Sequence, residues 1–285
     1  MGRTVYLNGE YVPEEEAKVS VFDRGFLFAD AVYEVTSVHG GRLLDFDGHM
    51  TRLKRSLGAL EIPFEVDTEA MLEIHREMVR VNAIDEGVVY LQISRGAADR
   101  SFMYPGEDVS PTIVLFTQTS EALKPKNPEK GISVVTAEDL RWGRRDIKTV
   151  QLLYPSMAKM EAAKSGADDA WLVEEGLITE GTSNNAFIVT RDGTIVTREL
   201  SNDILHGITR AAVLRFASET QLRFEERTFT PKEAREASEA FITSASNYVM
   251  PVVSIDGVQI GNGKPGPVAL RLREIYIAES SKWAV

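Results

Sequence analysis

The stretch WLVEEGLITEGTSNNAFIVTRDGTIV, residues 171–196, alternates apolar runs with polar turns. The apolar run that begins at Trp171 leads into a turn at Glu180 to Asn185, and a second strand pair surrounds the dipeptide Asp192-Gly193. Asp-Gly between β-branched or aromatic residues is typical of tight hairpins. This stretch therefore predicts antiparallel sheet.

The same turn signal recurs outward along the chain at Asn8-Gly9, Gly40-Gly41 and Asp256-Gly257. Between these hairpins, apolar residues recur with a helical period. The predicted helices cover residues 48–60, 68–83, 155–165, 208–218, 231–239 and 267–283. Hairpins interleaved with helices predict an α+β fold.

A chain of 285 residues is longer than one compact core usually holds. The segment EALKPKNPEKG, residues 121–131, carries two prolines, a glycine and several charges, which disfavour regular structure. We therefore predict a small N-terminal α/β domain at 1–120, a linker at 121–131 and a larger, β-rich C-terminal domain at 132–285.

The composition excludes several classes of function. Lys and Arg total 32 against 43 Asp and Glu, and the net charge of −11 repels a nucleic-acid backbone. There is no cysteine for a disulfide or a thiol nucleophile, and no pair of histidines has metal-ligand spacing. No apolar run reaches the ~20 residues of a membrane span, and the first residues resemble a hairpin rather than a signal peptide. We expect no metal and no membrane association, and a cytoplasmic protein.

Lys148 is the first candidate for chemistry. It lies in RWGRRDIKTVQLLYPSMAK, residues 141–159, where charged residues precede it and a largely apolar run follows. Desolvation disfavours an ammonium ion, which lowers the pKa of a lysine and frees its amine to attack a carbonyl. An ordinary surface lysine is the alternative.

Two further positions could hold an anionic or heterocyclic ligand, and a third, Arg52, could assist them. Glu180 ends a predicted strand where its carboxylate could face a ring nitrogen, and Thr182 and Ser183 follow with hydroxyl groups. Gly207 precedes a helix whose first turn holds Ile208 and Thr209, and the free N–H groups of such a turn suit a phosphate.

Arg52 follows His49 by three residues, on one helix face, and could grip the same phosphate with two nitrogens. Solvated turns, an ordinary helix start and a solvated arginine are the alternatives for these groups.

Seven strings in this order resemble the fold-type IV pyridoxal-phosphate enzymes, which include the D-amino acid aminotransferases, the branched-chain aminotransferases and the aminodeoxychorismate lyases. The strings are VSVFDRGFLFADAVYEV from residue 19, HMTRL, YLQISRG, RRDIK, ITEGTSNNAF, ILHGITR and FITSASNYVMPV. They span nearly the whole chain. The resemblance implies a two-domain α+β architecture, pyridoxal 5'-phosphate as cofactor and a homodimer.

The resemblance also assigns roles to residues. It makes Lys148 the Schiff-base lysine and places Glu180 against the pyridine nitrogen. The other implied contacts of the cofactor are Arg52, Leu205, Ile208, Thr209, Ser244 and Ser246.

The pattern is most similar to the D-amino acid aminotransferases, which hold the substrate carboxylate with a Tyr, an Arg and a His. The matching positions here are Tyr33, Arg100 and Phe102. Phe102 replaces the histidine, and one missing donor to a carboxylate costs on the order of 1–3 kcal/mol.

The resemblance thus implies a ping-pong transaminase that moves an amino group from a D-amino acid to pyruvate or 2-oxoglutarate. Phe102 leaves an (R)-selective amine or broad-specificity transaminase open. A branched-chain-type transaminase, an aminodeoxychorismate lyase and a non-catalytic protein of the same fold stay open as well.

Overall fold

The computed structural model describes residues 2–123 and 126–285, which form two compact units. The first unit comprises the described residues of Met1–Lys124 with Ile147–Gln151 and Trp283–Val285. The second unit comprises the described residues of Pro125–Asp146 and Leu152–Lys282. Lys148 thus belongs to the first unit by its contacts, although it follows the predicted linker in sequence.

The first unit is built on a six-stranded sheet in the order β2-β1-β6-β5-β3-β4, in which every neighbouring pair is antiparallel. The strands are β1 Thr4–Leu7, β2 Glu10–Pro13, β3 Ala31–His39, β4 Arg42–Leu43, β5 Gly87–Ser94 and β6 Thr112–Thr119. In β3, Val32, Glu34, Thr36 and Val38 alternate along one face and are all buried. Glu34 thus places a buried carboxylate on a face whose other members, Val32, Thr36 and Val38, are uncharged.

Four helices accompany this sheet: α1 Arg24–Phe28, α2 Phe46–Ala59, α3 Thr68–Val81 and α4 Ser120–Leu123. The side chain of Asp67 caps α3 by accepting hydrogen bonds from the N–H groups of Glu69 and Ala70. Met50, Leu53 and other apolar residues of α2 and α3 join the core formed with β3, β5 and β6. Burial of these apolar faces is the main force that holds the helices on the sheet.

The second unit contains a nine-stranded mixed sheet in the order β12-β11-β10-β13-β14-β7-β8-β9, with β15 paired to β14. The strands are β7 Ile132–Glu138, β8 Asp169–Glu174, β9 Leu177–Gly181, β10 Asn185–Val189, β11 Ile195–Thr197, β12 Phe224–Glu226, β13 Glu239–Ser244, β14 Tyr248–Ile255 and β15 Val258–Gln259. The pairs β7–β8, β7–β14 and β11–β12 are parallel. β9 and β10 are not neighbours in this order, but the short connection at residues 182–184 keeps the end of β9 beside the start of β10, where Asn185 donates a hydrogen bond to Glu180.

The helices of this unit are α5 Leu153–Lys164, α6 Ile208–Glu219, α7 Pro231–Glu236 and α8 Pro267–Lys282. Within the described ranges, no helix is both long enough and apolar enough to cross a membrane.

The α+β prediction is confirmed, and so are all four predicted hairpins and all six predicted helices, within a few residues at their ends. One detail differs, since five residues, 190–194, connect β10 to β11 around Asp192-Gly193. The helices α1 and α4 were not predicted. The domain bounds remain a prediction, and residues 124 and 125 of the predicted linker lie outside the described residues.

Candidate active site

Lys148 is fixed in the first unit by its backbone. Its carbonyl oxygen accepts a hydrogen bond of 3.0 Å from the N–H of Tyr33 in β3, and its N–H donates to Ser56 Oγ in α2 at 3.3 Å. The Nζ atom lies 4.1 Å from the centre of the Tyr33 ring. The amine is therefore held over an aromatic face, an arrangement that attracts a cation.

Tyr33 is itself held by a stack of rings. Its ring lies 5.5 Å from that of Tyr90, which lies 4.6 Å from that of Phe116. The hydroxyl of Tyr90 donates to Gln92 Oε1 at 2.8 Å. Burial, assisted by the neighbouring Tyr33, raises the pKa of Tyr90. Tyr90 is therefore a neutral hydrogen-bond donor at physiological pH.

Arg52 belongs to a buried charge cluster with Glu34 and His49. Its Nε donates to Glu34 Oε1 at 2.8 Å and its Nη2 to Glu34 Oε2 at 2.6 Å, while His49 Nδ1 lies 2.7 Å from Glu34 Oε2. Burial would raise the pKa of Glu34, but the charge and hydrogen bonds of Arg52, with His49, outweigh it and lower the pKa to about 2. Glu34 therefore fixes the orientation of the guanidinium that was predicted to bind a phosphate.

Arg100 and Phe102 lie on a surface loop of the first unit. The Arg100 guanidinium lies 5.5 Å from the ring of Phe28 and 5.6 Å from that of Phe102, which is 81% exposed. Arg24 holds this loop through a hydrogen bond of 2.7 Å to the carbonyl oxygen of Ser101. The structure thus brings Arg100 and Phe102 together, and the ring of Phe28 lies beside both of them.

In the second unit, Glu180 is a buried carboxylate with three donors. Its Oε1 accepts a hydrogen bond of 2.6 Å from Arg141 Nη1, and its Oε2 accepts from Asn185 Nδ2 at 3.0 Å and from the N–H of Leu205 at 3.1 Å. Burial raises the pKa of Glu180, and Arg141 and Leu205 only partly offset this effect. Glu180 therefore has its orientation fixed from three sides.

Asn185 links this carboxylate to the start of α6, and sequence reasoning missed it. Its Nδ2 also donates to the carbonyl oxygen of Leu205 at 2.9 Å. A Cβ added to Gly207 would lie 2.0 Å from Asn185 Oδ1, so a larger residue at this position would displace the Asn185 side chain. The signal available in the sequence was the pair of asparagines that follows the strand ending near Glu180.

The first turn of α6 holds Ile208 and Thr209, as predicted, and Gly207 is the residue at its N-cap. Among the residues that the structure describes, no side chain caps this end and no acidic residue lies in its first turn. The orphan N–H groups and the positive end of the helix dipole favour an anion.

Ser244 and Ser246 lie in the hairpin between β13 and β14, where Ser244 pairs with Tyr248. The N–H of Asn247 donates to Ser244 Oγ at 3.2 Å, and Asn247 Nδ2 lies 3.3 Å from Ser246 Oγ. Their contact with a cofactor remains a prediction.

Thr182 does not offer its hydroxyl to a ligand as expected. It donates to the buried Asp169 Oδ1 at 2.5 Å, and Asn184 Nδ2 donates to Asp169 Oδ2 at 2.8 Å. Because a buried carboxylate needs donors, this hydroxyl stabilises the turn. Ser183 is exposed.

The described residues contain no group of three or more His, Cys, Asp or Glu side chains arranged to hold a metal ion.

The family model described as amino-transferase class IV matches residues 31–255. The chain therefore belongs to the class IV aminotransferases, which confirms the resemblance seen in the sequence.

Two similar relatives are D-alanine aminotransferases. The chain is 38% identical to that of Staphylococcus aureus (strain MSSA476) over 95% of each chain. It is also 38% identical to that of Bacillus licheniformis, over 98% of this chain and 99% of the relative. Among solved structures, the T.th. branched-chain amino acid aminotransferase with pyridoxamine 5'-phosphate matches with a TM-score of 0.89 and 29% identity, covering 100% of this chain and 98% of that one.

Proposed function

We propose that this aminotransferase uses pyridoxal 5'-phosphate to move an amino group from a D-amino acid to a 2-oxo acid, pyruvate or 2-oxoglutarate. The observation that carries the proposal is the buried Glu180 carboxylate, held by Arg141, Asn185 and the N–H of Leu205. A buried carboxylate of fixed orientation is the partner that a protonated pyridine nitrogen requires.

The residues present fit this cofactor. The uncapped start of α6 supplies N–H groups for a phosphate, and the absence of a Cβ at Gly207 lets Asn185 Oδ1 approach this turn closely. Arg52 offers a guanidinium whose orientation Glu34 fixes. We assign the phosphate to Arg52, Ile208 and Thr209, with Ser244 and Ser246 beside it, and the ring to Glu180 and Leu205.

When bound, pyridoxal phosphate supplies an electron sink for the electrons released at the substrate Cα. Lys148 would hold the cofactor through its Nζ, and as a free amine it would serve as the general base that removes the proton from the substrate Cα. Tyr33, whose ring lies beside Lys148 Nζ, and Arg100 bind the substrate carboxylate.

The choice of a D-amino acid as donor rests on the D-alanine aminotransferases that are 38% identical to this chain. We further propose a homodimer in the cytoplasm that binds neither nucleic acid nor membrane, in keeping with the net charge of −11. Phe102 favours one alternative, an (R)-selective amine transaminase, because an exposed apolar ring stands where a carboxylate ligand was expected.

Borohydride reduction of the purified protein followed by peptide mapping tests the proposal. We expect the label on Lys148, and we expect Lys148→Ala to lose both the cofactor absorption band and turnover. A label on another side chain, or wild-type turnover in Lys148→Ala, would refute the assignment.

A donor screen then separates the candidate activities. We expect oxo-acid formation from D-alanine and not from L-alanine. A preference for (R)-1-phenylethylamine over D-alanine would favour the amine transaminase, and pyruvate formed from aminodeoxychorismate without an added oxo acid would identify a lyase.

A further inference from the structure

Arg141 is shared between two buried carboxylates. Its Nη1 donates to Glu180 at 2.6 Å, while its Nε and Nη2 donate to the two oxygens of Asp139 at 2.9 and 2.7 Å. Two of the three donating nitrogens therefore face Asp139, and one faces Glu180.

Asp139 is secured independently of Glu180. Thr179 Oγ1 donates to Asp139 Oδ2 at 2.7 Å, and Arg145 Nη1 lies 3.6 Å from the same oxygen. Burial raises the pKa of Asp139, but the hydrogen bonds and charges of Arg141, Thr179 and Arg145 lower it below its ordinary value. Asp139 is therefore an anion at physiological pH.

The charges of this group do not balance. Asp139, Glu180 and Glu174 carry three negative charges against two positive charges on Arg141 and Arg145, and Arg145 forms two hydrogen bonds of 2.7 Å with Glu174. One negative charge is left over in a buried place, where such a charge is costly unless a cation pairs with it. A protonated ring nitrogen is a cation of the required charge.

We propose that Asp139 is a positioning residue for the transamination proposed above: by engaging Arg141, it leaves Glu180 with an uncompensated negative charge for the ring nitrogen of the cofactor. Without Asp139, Arg141 would neutralise Glu180, and the site would have no net charge with which to hold the nitrogen proton. This inference rests on the proposed function, because it concerns the same cofactor.

The sign of the effect follows from electrostatics. Asp139 adds a negative potential at Glu180, which raises the pKa of that carboxyl and of a nitrogen bound to it. The other groups that face Glu180 are Arg141, Asn185 and the N–H of Leu205. Removing the charge of Asp139 should therefore cause the nitrogen to lose its proton at a lower pH.

The test uses protein reconstituted with pyridoxal phosphate carrying ¹⁵N in the ring, and follows the nitrogen chemical shift as the pH is raised. We expect Asp139→Asn to lower the proton affinity of the nitrogen about tenfold or more, and the alkaline limb of the kcat profile to move with it. Asp139→Glu, which keeps the charge, should restore the wild-type titration. Asp192→Asn is the matched control, because it removes the same charge from an exposed turn.

The inference is overturned if the nitrogen titration of Asp139→Asn coincides with that of the wild type. It is also overturned if Asp139→Glu shifts the titration as far as Asp139→Asn does. Should Asp139→Asn fail to fold, Asp139→Ser makes the same charge change with a smaller side chain, and the same two results would overturn the inference.

Glu180→Gln distinguishes a failure of this inference from a failure of the proposed function. If Glu180→Gln shifts the titration and neutral variants of Asp139 do not, only this inference fails. If the protein takes up no labelled cofactor, the proposed function fails, and the inference with it.

Discussion

Neutralising Glu34 should destabilise the sheet of the first unit. Its side chain is fully buried, and its pKa of about 2 lies far below the ordinary 4.5 because Arg52 and His49 outweigh the effect of burial. At about 1.4 kcal/mol for each pKa unit, this difference corresponds to about 3 kcal/mol of stability at neutral pH. Removing one partner of a buried ion pair costs about 3–5 kcal/mol, which agrees.

Hydrogen exchange followed by mass spectrometry measures this loss where it should occur. In the apoprotein of Glu34→Gln, we expect the protection of amides in β3 and β5 to fall by about two to three orders of magnitude. Glu77→Gln is the matched control, since the pair Glu77–Arg80 lies on the exposed face of α3 in the same unit. It should leave protection unchanged.

The dependence on pH gives a second check with a definite sign. A carboxyl whose pKa is lowered by folding stabilises the protein fully above its unfolded pKa, near 4.5, and loses this contribution as the pH falls toward 2. The difference between wild type and Glu34→Gln should therefore narrow between about pH 5 and pH 2. The role of Glu34 would be refuted if protection in Glu34→Gln fell by less than about tenfold at neutral pH. It would also be refuted if the difference between wild type and variant did not narrow as the pH falls.

Three further substitutions test the site. Gly207→Ala should weaken cofactor binding about tenfold or more, measured by equilibrium dialysis, because the new Cβ would meet Asn185 Oδ1 at 2.0 Å; unchanged affinity would contradict the close approach. Arg100→Ala should raise the KM for D-alanine by about 10- to 100-fold and spare (R)-1-phenylethylamine, since only the former has a carboxylate. Equal loss with both donors would remove Arg100 as the carboxylate ligand. Phe102→His should lower the KM for D-alanine about fivefold or more by adding a donor, and no change would show that residue 102 does not reach the carboxylate.

The local structure was predictable because its signals are local. A hairpin at Asn8-Gly9 or a helix beginning at Thr68 depends on neighbouring residues, and the structure has both. The positions of the candidate residues within their elements were equally predictable, since the first turn of α6 holds Ile208 and Thr209.

The partners of the buried charges were not predictable, because tertiary packing chooses them. Arg52 and His49 share a helix face, but the carboxylate that joins them comes from Glu34 in a strand. Arg141 and Glu180 are 39 residues apart. A partial signal existed, since Glu34 alternates with Val32 and Val38 on the core face of β3, and a buried glutamate there required a cationic partner.

The two buried glutamates show why such pairings matter more than burial alone. Glu34 receives two hydrogen bonds from one guanidinium and lies beside His49, and its pKa falls to about 2. Glu180 is as deeply buried and also meets an arginine, yet its pKa is raised, because burial outweighs the single hydrogen bond and the charge that Arg141 provides, and the charge of Asp139 adds to the effect of burial. The first carboxylate is electrostatically satisfied by the protein and serves the structure. The second is left short of positive charge, and a cation that the protein itself does not supply would complete it.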